Sequence, residues 1–157
     1  MAVSTEKIAV VDVEATCWDG DQPKDQVSEI IEIGLAWYYP KDRKCARASP
    51  IIVKPTLSKI STFCTELTTL TQDDVDEGMT LRMALEILHE EGVHKVGWAS
   101  WGDYDRQQFN RDCHTKGEHY PFSQTHLNVK YLWALKFKQS QCGLGQALSQ
   151  RKIKFDG

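Results

Sequence analysis

The chain has 157 residues, of which 41% are hydrophobic and 26% charged, and a formal net charge of −3 at neutral pH. That is a single domain with enough apolar material for a core, which excludes a disordered or low-complexity chain. No apolar run approaches membrane-spanning length and no charged-then-apolar leader opens the sequence, so a cytoplasmic location is the expectation.

The first predicted strand covers residues 7–13, within the run Ile8-Ala9-Val10-Val11-Asp12-Val13-Glu14-Ala15-Thr16-Cys17. Side chains at i and i+2 of a strand share a face, so Asp12 and Glu14 point together. Two such anions about 5 Å apart repel by roughly 3 kcal/mol at an effective dielectric near 20, and a cation relieves that repulsion. Oxygen donors alone suit a hard ion, magnesium or manganese, better than zinc. A bare Asp-x-Glu is more often a solvated strand face. Here the apolar run Ile8–Val11 does not alternate, which predicts a central strand buried on both sides. Carboxylates near the carboxyl end of such a strand lie where open α/β sheets bind ligands.

A polar loop, Asp19-Gly20-Asp21-Gln22-Pro23, follows. Glu29–Tyr39 is rich in β-branched and aromatic residues and ends at the turn signal Pro40-Lys41-Asp42, a second strand. Lys44–Lys54 reads as a third strand, interrupted by Pro50 and therefore at an edge. Links this short pair the strands antiparallel. Thr71-Gln72-Asp73-Asp74 has the form of a capping box opening a short helix. Thr80 opens a longer one, with Leu81, Ala84, Leu85 and Leu88 at helical spacing and Gly92 at its end. Lys95–Ser100 reads as a short strand, and Gly102-Asp103-Tyr104-Asp105 leads into a helix through Cys113. In that first turn the helix dipole favours an anion at Asp105, while Asp103 is the expected N-cap. Asn128–Phe137 fits strand or helix equally, and Gly143–Gln150 fits a short helix. Three meandering strands followed by alternating helices and strands predict an α/β, ribonuclease-H-like mixed sheet flanked by helices, one domain over residues 1–157.

Cys17, Cys45, Cys64, Cys113 and Cys142 are odd in number and lack C-x-x-C spacing. Reduced, mostly buried thiols are the expectation; Cys113-His114 with His119 and His126 fits no ordinary zinc pattern. Charge is unevenly spread. Residues 1–100 hold 10 Lys and Arg against 17 Asp and Glu, and residues 101–157 hold 9 against 5. A basic C-terminal third beside an acidic site suits a polyanionic substrate, although solvated helix edges would give the same count. Trp18, Trp37, Trp98 and Trp133 read as core residues.

The run Val11–Cys17 resembles the first motif of the DnaQ-like DEDDh 3′–5′ exonucleases, the superfamily of RNase T and the polymerase III epsilon proofreading subunit. Trp101-Gly102-Asp103-Tyr104-Asp105 resembles their second motif. Ser28–Gly34, Ser61–Thr68, Leu70-Thr71-Gln72 and Leu127-Asn128-Val129-Lys130 resemble one subgroup, the small exonucleases that trim structured RNA ends. This likeness implies that Asp12, Glu14 and Asp105 organise two divalent ions, Mg²⁺ or Mn²⁺, for an in-line hydrolysis at the 3′ end of single-stranded RNA, or less readily DNA. It implies Phe63 and Tyr104 as the aromatic pair around the terminal base, with ordinary core packing the rival role for Phe63. It places backbone amides near Ala15 and Thr16 at the terminal ribose, and Lys130 at phosphate.

The family's third motif, a His followed five positions later by an Asp, is expected just after Gly157. None of the five histidines has that context, and the last helix of the fold is missing too. These departures lead us to expect a truncated domain that turns over slowly, with exposed sheet surface inviting a homodimer. They also keep two rivals open: an inactive module that grips 3′ ends or a protein, and a proofreading DNA exonuclease.

Overall fold

A computed structural model describes residues 4–154. Six strands form one sheet: β1 (Ser4–Ala15), β2 (Ile30–Tyr39), β3 (Lys44–Arg47), β4 (Ile51–Ile52), β5 (Val96–Ser100) and β6 (His126–Asn128). Their order is β3-β2-β1-β5-β6, with β4 also paired to β2. β1 runs antiparallel to β2 and parallel to β5, and β5 is parallel to β6. The mixed, ribonuclease-H-like sheet expected from the sequence is therefore present. Its helices are α1 (Thr62–Thr68), α2 (Gln72–Asp76), α3 (Leu81–Glu91), α4 (Tyr104–Lys116), α5 (Val129–Phe137) and α6 (Leu144–Gln150). No helix among the described residues is long and apolar enough to cross a membrane.

One face of the sheet makes the core. Ala9, Val11 and Val13 of β1, Ile33, Leu35 and Trp37 of β2, and Trp98 of β5 pack against Leu81, Ala84, Leu85 and Leu88 of α3. Phe109 and Cys113 of α4 and Phe122 complete it. Each large apolar side chain fully buried here contributes about 1.5–3 kcal/mol. The other face of β1 is open: Val10 is 37% exposed and Asp12 faces solvent. This corrects the expectation of a strand buried on both sides. Ala9, Val11, Val13 and Ala15 are buried and Ile8, Val10, Asp12 and Glu14 are not, because the uninterrupted apolar run hides an ordinary alternation.

Three further features of the fold, of which only the first departs from the expected elements, have local causes. The predicted strand 44–54 is two short strands on β2, because Pro50 has no N–H to give the ladder. The segment at Phe63 is a helix, α1, whose N-cap Ser61 accepts from the Cys64 N–H at 3.0 Å. The ambiguous stretch at 128–137 is helix, because the Asn128 Oδ1 accepts from the Tyr131 N–H at 2.9 Å and opens α5. Trp37 and Trp98 are core as expected, whereas Trp18 and Trp133 are half-buried. All five cysteines are free; Cys64 and Cys113 are buried, Cys17 and Cys142 partly so, and Cys45 is exposed.

Candidate active site

β1 and β5 run parallel with Val10 opposite Ala99, so β1 continues past the end of β5 and its last residues lie beside the turn that follows β5. Asp12 and Glu14 project from the open face of β1. After β5 the chain turns at Gly102, with φ +109°, and enters α4. Asp105 is therefore in the first turn of α4, 3% exposed, with its Oδ1 accepting from the Val13 N–H at 3.0 Å. The three carboxylates expected to form the site are brought together.

Their titration reports the crowding. Burial pushes Glu14 up to about 7, and the charges of Asp12, Glu32 and Asp105 push the same way. Burial and Asp12 push Asp105 up to about 6, against the Val13 N–H that favours its anion. Burial raises the Asp12 carboxyl, while its interaction with Asp105 lowers it in part. Groups displaced this far by burial and like charge are what a cation would reverse.

Among the described residues no three or more His, Cys, Asp or Glu side chains close into a coordination shell. The fit to an ion therefore rests on donor chemistry. Asp12, Glu14 and Asp105 offer only carboxylate oxygens, which suits Mg²⁺ or Mn²⁺ and not zinc.

α4 is aimed by a buried polar stripe. Asp105, Gln108 and Asp112 are spaced three and four residues apart and share a helix face. Asp112 Oδ2 accepts from the Ile30 N–H at 2.7 Å, and Oδ1 accepts from Gln108 Nε2 at 2.9 Å. Gln108 Nε2 also donates to the Ser28 carbonyl at 3.0 Å. The helix carrying Asp105 is thus hydrogen-bonded to both β1 and the start of β2. The sequence reading missed Gln108 and Asp112, although their spacing from Asp105 is visible in the chain.

A second support is Glu29, whose carboxylate accepts from the Thr56 and Leu57 N–H groups at 2.9 and 2.8 Å and pairs with Lys116 Nζ at 2.6 Å. Its backbone carbonyl accepts from the Thr16 N–H at 2.9 Å, while Thr16 Oγ1 donates to the Val27 carbonyl at 3.0 Å. This corrects the expected ribose contact at Thr16: that amide is already committed within the fold, and the side chain is 1% exposed. Ala15 stands beside it at a register shift of the β1–β2 ladder.

Phe63 is 36% exposed, so simple core packing does not describe it. Ser61, which caps the helix carrying Phe63, donates to the Cys17 carbonyl at 2.6 Å and ties α1 to the end of β1. Tyr104 is 51% exposed, and its phenol hydrogen-bonds Ser28 within electrostatic reach of Cys17 and Asp105. Lys130, half-buried at the start of α5, lies against Gly102, where an added Cβ would meet its Cδ at 3.6 Å. Asp103 occupies the N-cap position of α4 without capping it through its side chain. Its carboxylate instead pairs with Arg106 at 3.0 Å and accepts from Asn128 Nδ2 at 3.1 Å.

Of the histidines, His126 comes nearest, with Nε2 2.9 Å from Ser100 Oγ, a hydroxyl that also bonds Asp105. His89, His94 and His119 instead line a cleft of about 540 Å³ with Arg82, Glu86 and Glu118, at the amino end of β5.

Comparison with known proteins gives a consistent picture. A family model described as Exonuclease (RNase T) matches residues 9–92. The 3′-5′ exonuclease Snipper of Drosophila melanogaster is 28% identical over 174 residues, covering 96% of this chain and 62% of that protein. The human 3′-5′ exoribonuclease 1 is 29% identical over 162 residues, covering 96% and 46%. The chain thus spans about half the length of these relatives. The nuclease domain of 3′hExo, a DEDDh family member solved with rAMP, superposes with a TM-score of 0.84 at 26% identity, over 99% of this chain and 84% of that one. Cell-death related nuclease 4, at 16% identity and a TM-score of 0.79, covers 97% and 57% and shares the fold.

Proposed function

The chain belongs to the exonuclease (RNase T) family, and from that premise we propose that it is a metal-dependent 3′–5′ exonuclease acting on single-stranded RNA in preference to DNA. The observation that carries this reading is the convergence of Asp12 and Glu14, at the carboxyl end of β1, with Asp105, in the first turn after β5, with the Glu14 and Asp105 carboxyls pushed toward neutrality. The chain's likeness to the human 3′-5′ exoribonuclease 1 favours RNA.

In this reading Asp12, Glu14 and Asp105 hold Mg²⁺ or Mn²⁺, two ions per site. Bound there, the ions would supply a water activated for attack and charge stabilisation at the leaving 3′-oxygen. The protein's own residues do the rest. The Val13 N–H fixes the orientation of Asp105. Phe63 and Tyr104 hold the terminal base by stacking, worth about 1–3 kcal/mol per base and indifferent to base identity. The backbone at Ala15 lies where the terminal ribose would sit, and Lys130 meets phosphate. Five free cysteines accord with a reducing, cytoplasmic setting. Exposed Tyr131, Leu132 and Leu135 of α5 with Leu144 of α6 offer the surface for a homodimer.

A 5′-labelled single-stranded RNA tests the reading. Wild-type protein should shorten it from the 3′ end in Mg²⁺ or Mn²⁺ and not in EDTA. Asp12→Ala should abolish shortening, and a 3′-phosphate should block it. Metal-independent or 5′-directed shortening would overturn the reading; binding of the free 3′ end with no shortening at all would favour the inactive 3′-end-binding module.

A further inference from the structure

Two of the five free cysteines are far apart in the chain and neighbours in space. Cys17 follows the end of β1, three residues after Glu14, and Cys64 stands in α1 directly after Phe63. Cys64 is 0% exposed, in a small apolar cluster with Ile31, Leu70 and Val75, and the partly buried Cys17 packs against that cluster. The Cys17 thiol hydrogen-bonds the Cys64 side chain, and Cys64 Sγ donates to the Ala15 carbonyl at 3.7 Å. The two backbones are drawn together as well, since Ser61 Oγ donates to the Cys17 carbonyl at 2.6 Å. No third His, Cys, Asp or Glu among the described residues closes a metal site around the pair. Sulfurs already in hydrogen-bond contact need only a short approach to reach the roughly 2 Å of an S–S bond.

We propose that Cys17 and Cys64 are an oxidisable thiol pair that a peroxide closes to a disulfide, clamping α1 to the end of β1. The partly exposed Cys17 meets the oxidant first. Its sulfur breaks the peroxide O–O bond, becoming a sulfenic acid and releasing one water. The Cys64 sulfur then attacks the Cys17 sulfur; the hydroxyl leaves with the Cys64 proton as a second water. Two thiols are oxidised, one peroxide is reduced, and the S–S bond forms. Burial, the bond to Cys64 and the charge of Glu14 push the Cys17 thiol up to about 11. Thiolate is therefore scarce at neutral pH and closure is slow, so the pair answers sustained oxidation. The same basicity makes Cys17 a poor leaving group, which lets the bridge persist once formed. The bridge would hold the helix that carries Phe63 against the strand that carries Asp12 and Glu14, and it stands whether or not the chain is an exonuclease.

The whole protein, treated with hydrogen peroxide at about pH 8, where thiolate is more plentiful, and then alkylated, tests this. Digestion of the monomer without reductant should yield a peptide cross-linked between Cys17 and Cys64. The melting temperature should rise by about 5–10 °C, because the bridge closes a long loop in the unfolded chain, and dithiothreitol should reverse the rise. Cys64→Ala and Cys17→Ser should each lose both effects, whereas Cys45→Ser, on exposed β3, should keep them. Cys17→Ser, at the partly exposed partner, decides the matter if Cys64→Ala does not fold. Oxidation of Cys17 to a sulfinic acid with Cys64 left as a thiol would overturn the proposal. A bridge without a rise in melting temperature would overturn the clamp.

Discussion

Asp12, Glu14 and Asp105 differ in exposure, yet their titrations are linked, because Glu14 lies in the field of both Asp12 and Asp105, and Asp105 in that of Asp12. An ion displaces the protons that Glu14 and Asp105 retain near neutrality, at about 7 and about 6. Metal affinity should therefore rise with pH, up to about tenfold per unit for each carboxyl that must ionise, and level off above about pH 7.5. Mn²⁺ titrations between about pH 5.5 and 8 measure this, and a flat profile would contradict it. Glu29 behaves in the opposite sense. Burial alone would raise its carboxyl, but the Lys116 ammonium and the Thr56 and Leu57 N–H groups hold it below its ordinary 4.5. A carboxyl lowered by folding stabilises the protein above its unfolded value and loses that contribution as pH falls through the folded one. Lys116→Met should accordingly cost roughly 2 kcal/mol at pH 7, and the deficit should shrink as the pH drops below about 4.5. Thermal denaturation of both proteins at pH 7 and pH 3.5 checks it.

At the scale of elements, what the sequence revealed and what it hid have separate causes. The meander β1–β2–β3 was legible because turn residues and β-branched runs bound each strand. The helix α3 was legible because its apolar stripe and its Gly92 stop are unmixed with other signals. The role of α4 was hidden, since its buried face is as much polar as apolar: Asp105, Gln108 and Asp112 beside Phe109 and Cys113. Asp12, Glu14 and Asp105 could be singled out because a two-residue spacing and a strand-to-helix turn are local patterns. The commitment of the Thr16 amide and the approach of Glu32 to Glu14 depend on strand register, which no local pattern encodes. The stripe on α4 yields its own expectation. Asp112→Ala strands the Ile30 N–H and the Gln108 amide in a dry interior, so it should cost roughly 1–3 kcal/mol in urea denaturation. Asp112→Asn, which can still accept from Ile30, should cost less. Equal stability of all three proteins would mean that the stripe does not hold the helix.

Across the whole molecule, the first hundred residues are acidic and the remainder is basic. Lys130 joins the two regions, lying against the turn that launches Asp105. If it meets a phosphate, Lys130→Gln should weaken single-strand binding uniformly across sequences and reduce the slope of log affinity against log salt by about 0.7. An unchanged slope would remove Lys130 from the interface. The central claim, that these carboxylates form a metal site at which a 3′-terminal nucleotide docks, is tested most directly by crystals grown with Mn²⁺ and adenosine 5′-monophosphate. Anomalous scattering should place manganese between Asp12, Glu14 and Asp105, with the adenine between Phe63 and Tyr104. Manganese bound only elsewhere, such as the histidine-lined cleft at the amino end of β5, would contradict the account.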